Sequence, residues 1–293
     1  MFSDHALAAS FLSPLVLQSP RYLSDVDPWH GHIPFAFWAT LQLRPSTFVE
    51  LGTHKGDSYL AFCQAVKHLG LSTACFAIDT WAGDEHSGLY DASVLKSLRL
   101  VHDQEYSKFS QLIQAKFDEA VNQFEAETVD LLHIDGLHTY DAVKHDFETW
   151  SPKISPQGVV LFHDTNVRDR NFGVWRFWSE ISKKYPNFEF KHSHGLGVLG
   201  VGKNLPEPFL NFLNLGAFER QTTMDYFAIL GHRSYLLRRV DDLTGQQRNL
   251  ERELSQIYGS RCWRFTAPLR KSVTAFRSIF SASGGNAMPR PGR

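Results

Sequence analysis

Apolar and polar positions alternate in blocks along most of this chain. From Thr47 to about Lys203, short apolar runs are separated by segments whose apolar residues fall three or four apart, the pattern of repeated βα units around a mainly parallel sheet. Strands are predicted at residues 47–52 (TFVELG), 74–80 (ACFAIDT), 109–114, 129–134 (VDLLHI) and 158–162 (GVVLF). Between them, helices are predicted at 57–69, where Tyr59, Phe62, Cys63, Val66 and Leu69 share a face, and at 118–124, 140–150 and 174–185. Residues 81–110 carry the weakest pattern. Two last runs, 188–192 and 196–201, flank a glycine-containing turn at 193–195 and predict a closing antiparallel hairpin. The expected fold is therefore α/β and Rossmann-like: seven strands, mainly parallel, with a terminal antiparallel hairpin.

Outside this block the pattern changes. The apolar, aromatic run 33–43 (IPFAFWATLQL) predicts a helix packed on the sheet edge or over its ligand mouth. Beyond Pro208 the chain becomes a helical C-terminal extension; residues 225–258 favour helix, and the later half (DDLTGQQRNLERELSQIY) is polar with thinly spaced leucines, as in a protruding or self-associating helix. From Ser281 the Ser, Gly, Pro and Arg content predicts disorder. The expected division is an N-terminal helical cover at 1–46, a catalytic domain at 47–205, the extension at 206–260 and a basic aromatic tail at 261–293.

Composition narrows the function classes. With 43% hydrophobic and 21% charged residues, the 293-residue chain has ample material for one large core. A net charge of -1 gives no whole-protein reason to expect a nucleic-acid partner. Three cysteines, Cys63, Cys75 and Cys262, form no C-x-x-C pair and fit neither a disulfide framework nor a zinc site, so a reducing compartment is expected. Residues 6–17 imitate a signal-peptide core, but they follow Asp4 without Lys or Arg and contain Pro14. Export is not expected, no apolar run approaches the roughly 20 residues of a spanning helix, and the expected location is cytoplasmic.

In open α/β sheets, ligands bind outside the carboxyl ends of the strands. After the first strand comes Glu50-Leu51-Gly52-Thr53-His54-Lys55-Gly56-Asp57, where Gly52 and Gly56 let backbone approach a ligand closely. The spacing is neither the dinucleotide G-x-G-x-x-G nor a P-loop, while Glu50 offers an acceptor for the cationic amine of an amino-acid-like ligand; this favours S-adenosylmethionine (SAM) over NAD or ATP. Asp79, 27 residues beyond Gly52, stands where an acid bridges ribose hydroxyls, unless it only caps a helix, and Trp81 is placed to stack near an adenine. The fourth and fifth strands deliver Asp135, His138, His163 and Asp164. Asp135 and Asp164 are hard oxygen ligands for Mg²⁺ or another divalent cation, with His163 as an additional ligand; His138, His163 and Asp135 are the candidates for acid–base work on an acceptor hydroxyl. Either acid can instead be a helix cap, and His133, on the strand itself, reads as a packed core histidine.

With these residues identified, the chain resembles class I SAM-dependent methyltransferases, in the branch associated with sugar and surface-polysaccharide pathways. The resemblance runs from about Trp29 to Lys203, through WHGHIPFAF, VELGTHKGDSY, DLLHIDGLHTYDAVKHDFETW and VVLFHDT. It implies SAM held by Glu50, Gly52, Thr53 and Asp79, and a metal at Asp135 and Asp164 as in metal-dependent sugar O-methyltransferases. Those relatives carry a carboxylate just after the Asp-Gly pair and two adjacent acids after the fifth strand, where this chain has Leu137-His138 and His163-Asp164. The terminal antiparallel hairpin also fits this family better than a nicotinamide oxidoreductase.

The segment SRCWRFTAPLR at 260–270 resembles one found after polar helices in bacterial glycosyltransferases and methyltransferases of cell-surface glycan assembly. Residues 261–293 hold seven Lys or Arg and no acid, interleaved with aromatic and aliphatic side chains. Such a tail either lies on an anionic membrane surface or docks on its own protein or a partner. The expected acceptor is a sugar or glycan hydroxyl, with glycosyltransferases as candidate partners. The alternative is a catalytically silent SAM-fold module that recruits glycan-assembly enzymes.

Overall fold

Five strands of the computed structural model lie parallel and side by side, which fixes where their carboxyl ends meet. The structure describes residue 7, residues 9–169 and residues 171–272; the disorder expected from Ser281 falls outside them. A one-turn 3₁₀ segment at His30–His32 leads into α1 (Ile33–Leu43), β1 (Thr47–Leu51), α2 (Asp57–Leu69) and β2 (Ala74–Asp79). A small ribbon, β3 (Gly83–Asp84) and β4 (Gly88–Leu89), precedes α3 (Ser93–Glu105) and β5 (Ser110–Gln114). Then come α4 (Phe117–Ala120), β6 (Val129–Ile134), α5 (Tyr140–Trp150), β7 (Ile154–His163), α6 (Val174–Ile181), β8 (Asn187–Phe190) and β9 (Leu196–Gly200). The helices α7 (Glu207–Leu213), α8 (Ala217–Gly259) and α9 (Arg261–Phe265) follow.

The main sheet has the order β5-β2-β1-β6-β7-β9-β8, parallel through β7 and antiparallel across the closing hairpin. The α/β fold with its seven-stranded, mainly parallel sheet and terminal hairpin is as expected. β7 begins earlier than the glycine at 158 implied, because Ile154 pairs with Val129 before the ladder shifts register. The predicted helix at 118–124 shrinks to one turn plus a 3₁₀ turn at Val121–Gln123. The weakly patterned stretch 81–110 holds the ribbon and α3, and the C-terminal helix starts at Ala217 rather than at 225.

Strand residues are buried on both faces, which is why they read as continuous apolar runs. Phe48, Leu131, Val159 and Leu161 face α1, α2 and α7; Val49, Leu132, Val160 and Phe162 face α5 and α6. Trp38, Phe35 and Phe212 are fully buried on the first face, so the N-terminal cover belongs to the same core as the sheet. α2 stops where Gly70 turns left-handed and its N–H returns to Lys67 and Val66.

By contact, Met1–Arg238 and Arg239–Arg293 are separate units, the division falling inside α8. No described residue of the second unit is buried. No helix among the described residues is long and apolar enough to cross a membrane.

Strand order reverses between β1 and β6, and the backbone there is packed tightly. Gly52 has φ +85°, its N–H bonds the Ile78 carbonyl at 2.9 Å, and a Cβ there would collide with the Asp135 carbonyl oxygen. Gly52→Ala is expected to lower unfolding stability by roughly 2–4 kcal/mol in urea titrations, combining left-handed strain with the clash; an unchanged midpoint would contradict this packing.

Candidate functional site

At the switch point between β1 and β6 the strand tips open into a crevice of about 720 Å³, within the usual range for small-ligand sites. Gly52, Thr53, Gly56, Asp79, Asp135, His138, His163 and Asp164, all expected from sequence, line it. The Asp79 carboxylate ties two loops together: Oδ2 accepts the N–H groups of Thr53 and His54, each at 2.9 Å, and Oδ1 accepts that of Trp81 at 2.7 Å. A carboxylate has about four acceptor sites, so capacity remains for a ribose hydroxyl on a carboxylate already fixed in place.

Two expected ligand contacts lie elsewhere. Trp81 is 3% exposed and does not line the crevice; with φ 49° the turn after β2 folds the indole inward, where Nε1–H donates to the His54 carbonyl at 2.9 Å. The aromatic faces on the crevice wall are instead His54 and Tyr90, stacked at 4.4 Å and 9°. Glu50 is fully buried beneath the crevice rather than on its wall. Its Oε2 lies 2.8 Å from His133 Nδ1, while His133 Nε2 lies 3.2 Å from Trp29 Nε1. Because an indole N–H only donates, Nε2 is the acceptor and Nδ1 carries the proton given to Glu50. His133 is thus a core histidine, as expected. Burial raises the Glu50 pKa, which the His133 hydrogen bond opposes, and Oε1 has no hydrogen-bond partner.

The centre of the crevice floor is a cluster of two acids and two imidazoles. His138 Nε2 lies 2.9 Å from Asp164 Oδ2 and 3.3 Å from Asp135 Oδ1. His163 Nδ1 lies 3.3 Å from Asp135 Oδ1, and its Nε2 lies 3.2 Å from the Ser193 carbonyl. Acceptors stand at both nitrogens of His163, as suits an imidazolium. Burial disfavours charge on both histidines, yet the flanking carboxylates outweigh it: His138 is pushed up to about 9 and His163 well above the ordinary range. In return both acids, Asp164 buried and Asp135 partly so, are held far below the usual carboxylate range although desolvation opposes this. Near neutral pH each imidazole therefore already holds the proton that a general base must be free to accept. A role as general base was expected of His138 or His163, and the flanking acids favour the protonated form of each.

Side-chain donor atoms of Asp135, His138 and Asp164 all lie within 4.8 Å of one another, a grouping able to hold a cation. His138 takes the place expected for His163, which stands behind and positions Asp135. Two oxygens and one imidazole suit Mn²⁺ or Fe²⁺ better than the all-oxygen shell preferred by Mg²⁺. Asp164 is held in this set by a left-handed backbone, φ 60°, stabilised from the hairpin: His194 Nδ1 lies 3.2 Å from its Oδ1, and a Cβ on Gly195 would meet Thr165 and Asn166.

Residues 49–165, two fifths of the chain, match a family model described as a methyltransferase domain. An uncharacterised protein of Sinorhizobium fredii (strain NBRC 101917 / NGR234), y4gI, is 46% identical over 217 residues, which cover 73% of this chain and 24% of that protein. The chain thus spans about a quarter of the length of the curated relative it matches. Among solved structures, a putative caffeoyl-CoA O-methyltransferase from Staphylococcus aureus aligns at TM-score 0.47 and 15% identity, covering 60% of this chain and 84% of that one. The O-methyltransferase TomG from Streptomyces achromogenes, in complex with SAM, aligns at 0.44 and 14%, covering 68% and 90%. At such TM-scores these two likenesses decide nothing about chemistry.

The structure also places residues in the crevice that the sequence did not mark, among them His86, Tyr90, Lys116, Phe117, Asp146 and Phe172. Phe172 stacks on His138 at 4.6 Å and 7°, holding the imidazole plane. Asp146, on α5, is 7% exposed, and burial pushes its carboxyl up to about 7, while its neighbour His145 bonds Asp118 instead. A carboxyl whose folded pKa is raised contributes stability that is complete below about pH 4 and lost as pH rises through 7. Asp146→Asn is therefore expected to become progressively more stable than the natural protein between pH 4 and 7, by on the order of 2–4 kcal/mol, and to hold that margin above pH 7. Thermal melts across this range check it; a margin independent of pH would contradict it.

Proposed function

We propose that the protein is a SAM-dependent O-methyltransferase acting on a hydroxyl of a sugar or glycan in cell-surface polysaccharide assembly. The observation that carries the reading is the acid–imidazole cluster of Asp135, His138 and Asp164 on the floor of a crevice in a methyltransferase domain. An amine acceptor needs no such cluster once neutral, whereas a hydroxyl gains from nearby positive charge as its proton leaves.

SAM, when bound, would supply a methyl group from its sulfonium: the C–S bond breaks as the acceptor oxygen bonds that carbon, S-adenosylhomocysteine is the leaving group, and the acceptor proton passes to solvent water. The left-handed turns at Gly52 and Gly56 admit the donor's backbone-hugging end, and Asp79, anchored by three amides, presents its free lone pairs to the ribose. A divalent cation held by Asp135, His138 and Asp164 would supply the positive charge that favours the ionised acceptor hydroxyl. Its binding requires His138 to release a proton, and His163 keeps Asp135 oriented throughout. Lys116, His54, Tyr90 and His86 make the crevice wall polar and aromatic, as suits a polyhydroxylated acceptor. The basic residues and exposed Phe265 and Leu269 of the tail fit contact with an anionic membrane surface where lipid-linked glycans are assembled, alongside glycosyltransferase partners.

Calorimetry tests the donor: SAM and its demethylated product are expected to bind the natural protein and to bind Asp79→Ala at least 100-fold more weakly. Absence of heat with either compound would overturn the reading. In methyl-transfer assays with sugar and glycan acceptors, EDTA or Asp164→Asn is expected to cut turnover by 100-fold or more, with Mn²⁺ restoring the EDTA-treated enzyme. Full turnover in EDTA would remove the cation from the mechanism.

A further inference from the structure

Among the described residues, the second unit leaves an apolar seam of α8 uncovered. Val240, Leu243, Leu250, Leu254 and Ile257 are 47–60% exposed, and with Gln247 they fall at spacings of three and four residues in strict alternation. Leu236, one step earlier in the same register, is 54% exposed. This is a heptad with Val240, Gln247 and Leu254 at a and Leu236, Leu243, Leu250 and Ile257 at d. The outward positions are polar: Asp241, Arg248, Asn249, Arg252 and Ser255 among them. A helix without tertiary packing is marginal on propensity alone, and Gly245 within it lowers propensity further. The seam therefore calls for a cover of matching period.

We infer that this cover is the same seam of a second copy, forming a parallel, in-register, two-stranded coiled coil through residues 236–257. Three features select that occupant. A β-branched residue and leucine at a with mostly leucine at d fit two strands. In a parallel pair Gln247 faces Gln247 of the second copy and the two amides can hydrogen-bond, whereas in an antiparallel pair every a residue faces a d residue and Gln247 is buried against an aliphatic side chain. Across the flanks, parallel register sets Arg239 beside Thr244, Gln246 beside Glu251 and Glu253 beside Tyr258, with no like charges opposed. Twelve half-exposed aliphatic side chains, at roughly 80 Å² each, remove about 1,000 Å² of apolar surface, the lower end of what a specific interface requires. The coil is independent of the methyl-transfer reading, since no seam residue lines the crevice.

Sedimentation equilibrium of the full chain tests it. The natural protein is expected at twice the 33.4 kDa chain mass at micromolar concentration, and Leu243→Glu with Leu250→Glu at the monomer mass, while Arg248→Glu, on the outward face, stays dimeric. In a Cys262→Ser background, Leu250→Cys is expected to cross-link under mild oxidation and Asn249→Cys is not. A monomeric natural protein, a trimer or tetramer, or a dimer that survives both glutamates would overturn the inference. A dimer in which Leu250→Cys fails to cross-link would overturn the parallel register.

Discussion

Two desolvated carboxylates cannot both stay ionised side by side unless positive charge stands beside them. Asp135 and Asp164 are brought together by adjacent parallel strands, and what makes their company tolerable here is the pair of imidazoles bonded between and behind them. Much of the surrounding architecture serves that arrangement. The closing hairpin sends His194 and a left-handed Gly195 against the end of β7, keeping Asp164 in a backbone conformation that a non-glycine residue adopts at a cost. Phe172 fixes the plane of His138. A cation entering the cluster would replace the proton on His138, so the charge balance that permits folding is also the one that prepares a metal site.

One layer below, a second set of charges is handled differently. Glu50, His133 and Trp29 form a buried chain whose direction is dictated by the indole, which can only donate. This chain links the N-terminal segment before α1 to β1 and β6, and so sets the base on which the Gly52 turn rests. The N-terminal segment is thus part of the site's foundation.

The strands and their tips were legible because a parallel sheet buried on both faces writes itself as apolar runs ending in polar residues. Asp79, Asp135, His138, His163 and Asp164 could be found by position alone. What position could not give was direction. Trp81 follows a strand tip as an adenine-stacking residue would, yet a positive φ turns it into the core; Glu50 ends β1 as a ligand-binding acid would, yet faces inward to His133. Protonation was equally hidden, since a histidine's readiness as a base depends on which carboxylates lie around it in space. Asp146 was missed because a buried acid on a largely polar helix looks like a solvated one, and the ribbon between Trp81 and α3 because strands of two residues carry no period.

One crevice is proposed to take a nucleoside beside Asp79 and a cation among Asp135, His138 and Asp164. A crystal structure grown with S-adenosylhomocysteine and Mn²⁺, with anomalous data at the manganese edge, tests this most directly. The account predicts one strong anomalous peak within coordination distance of those three side chains and the ribose hydroxyls hydrogen-bonded to Asp79. A nucleoside bound away from Asp79, or a crevice that excludes both compounds while the fold is intact, would contradict it.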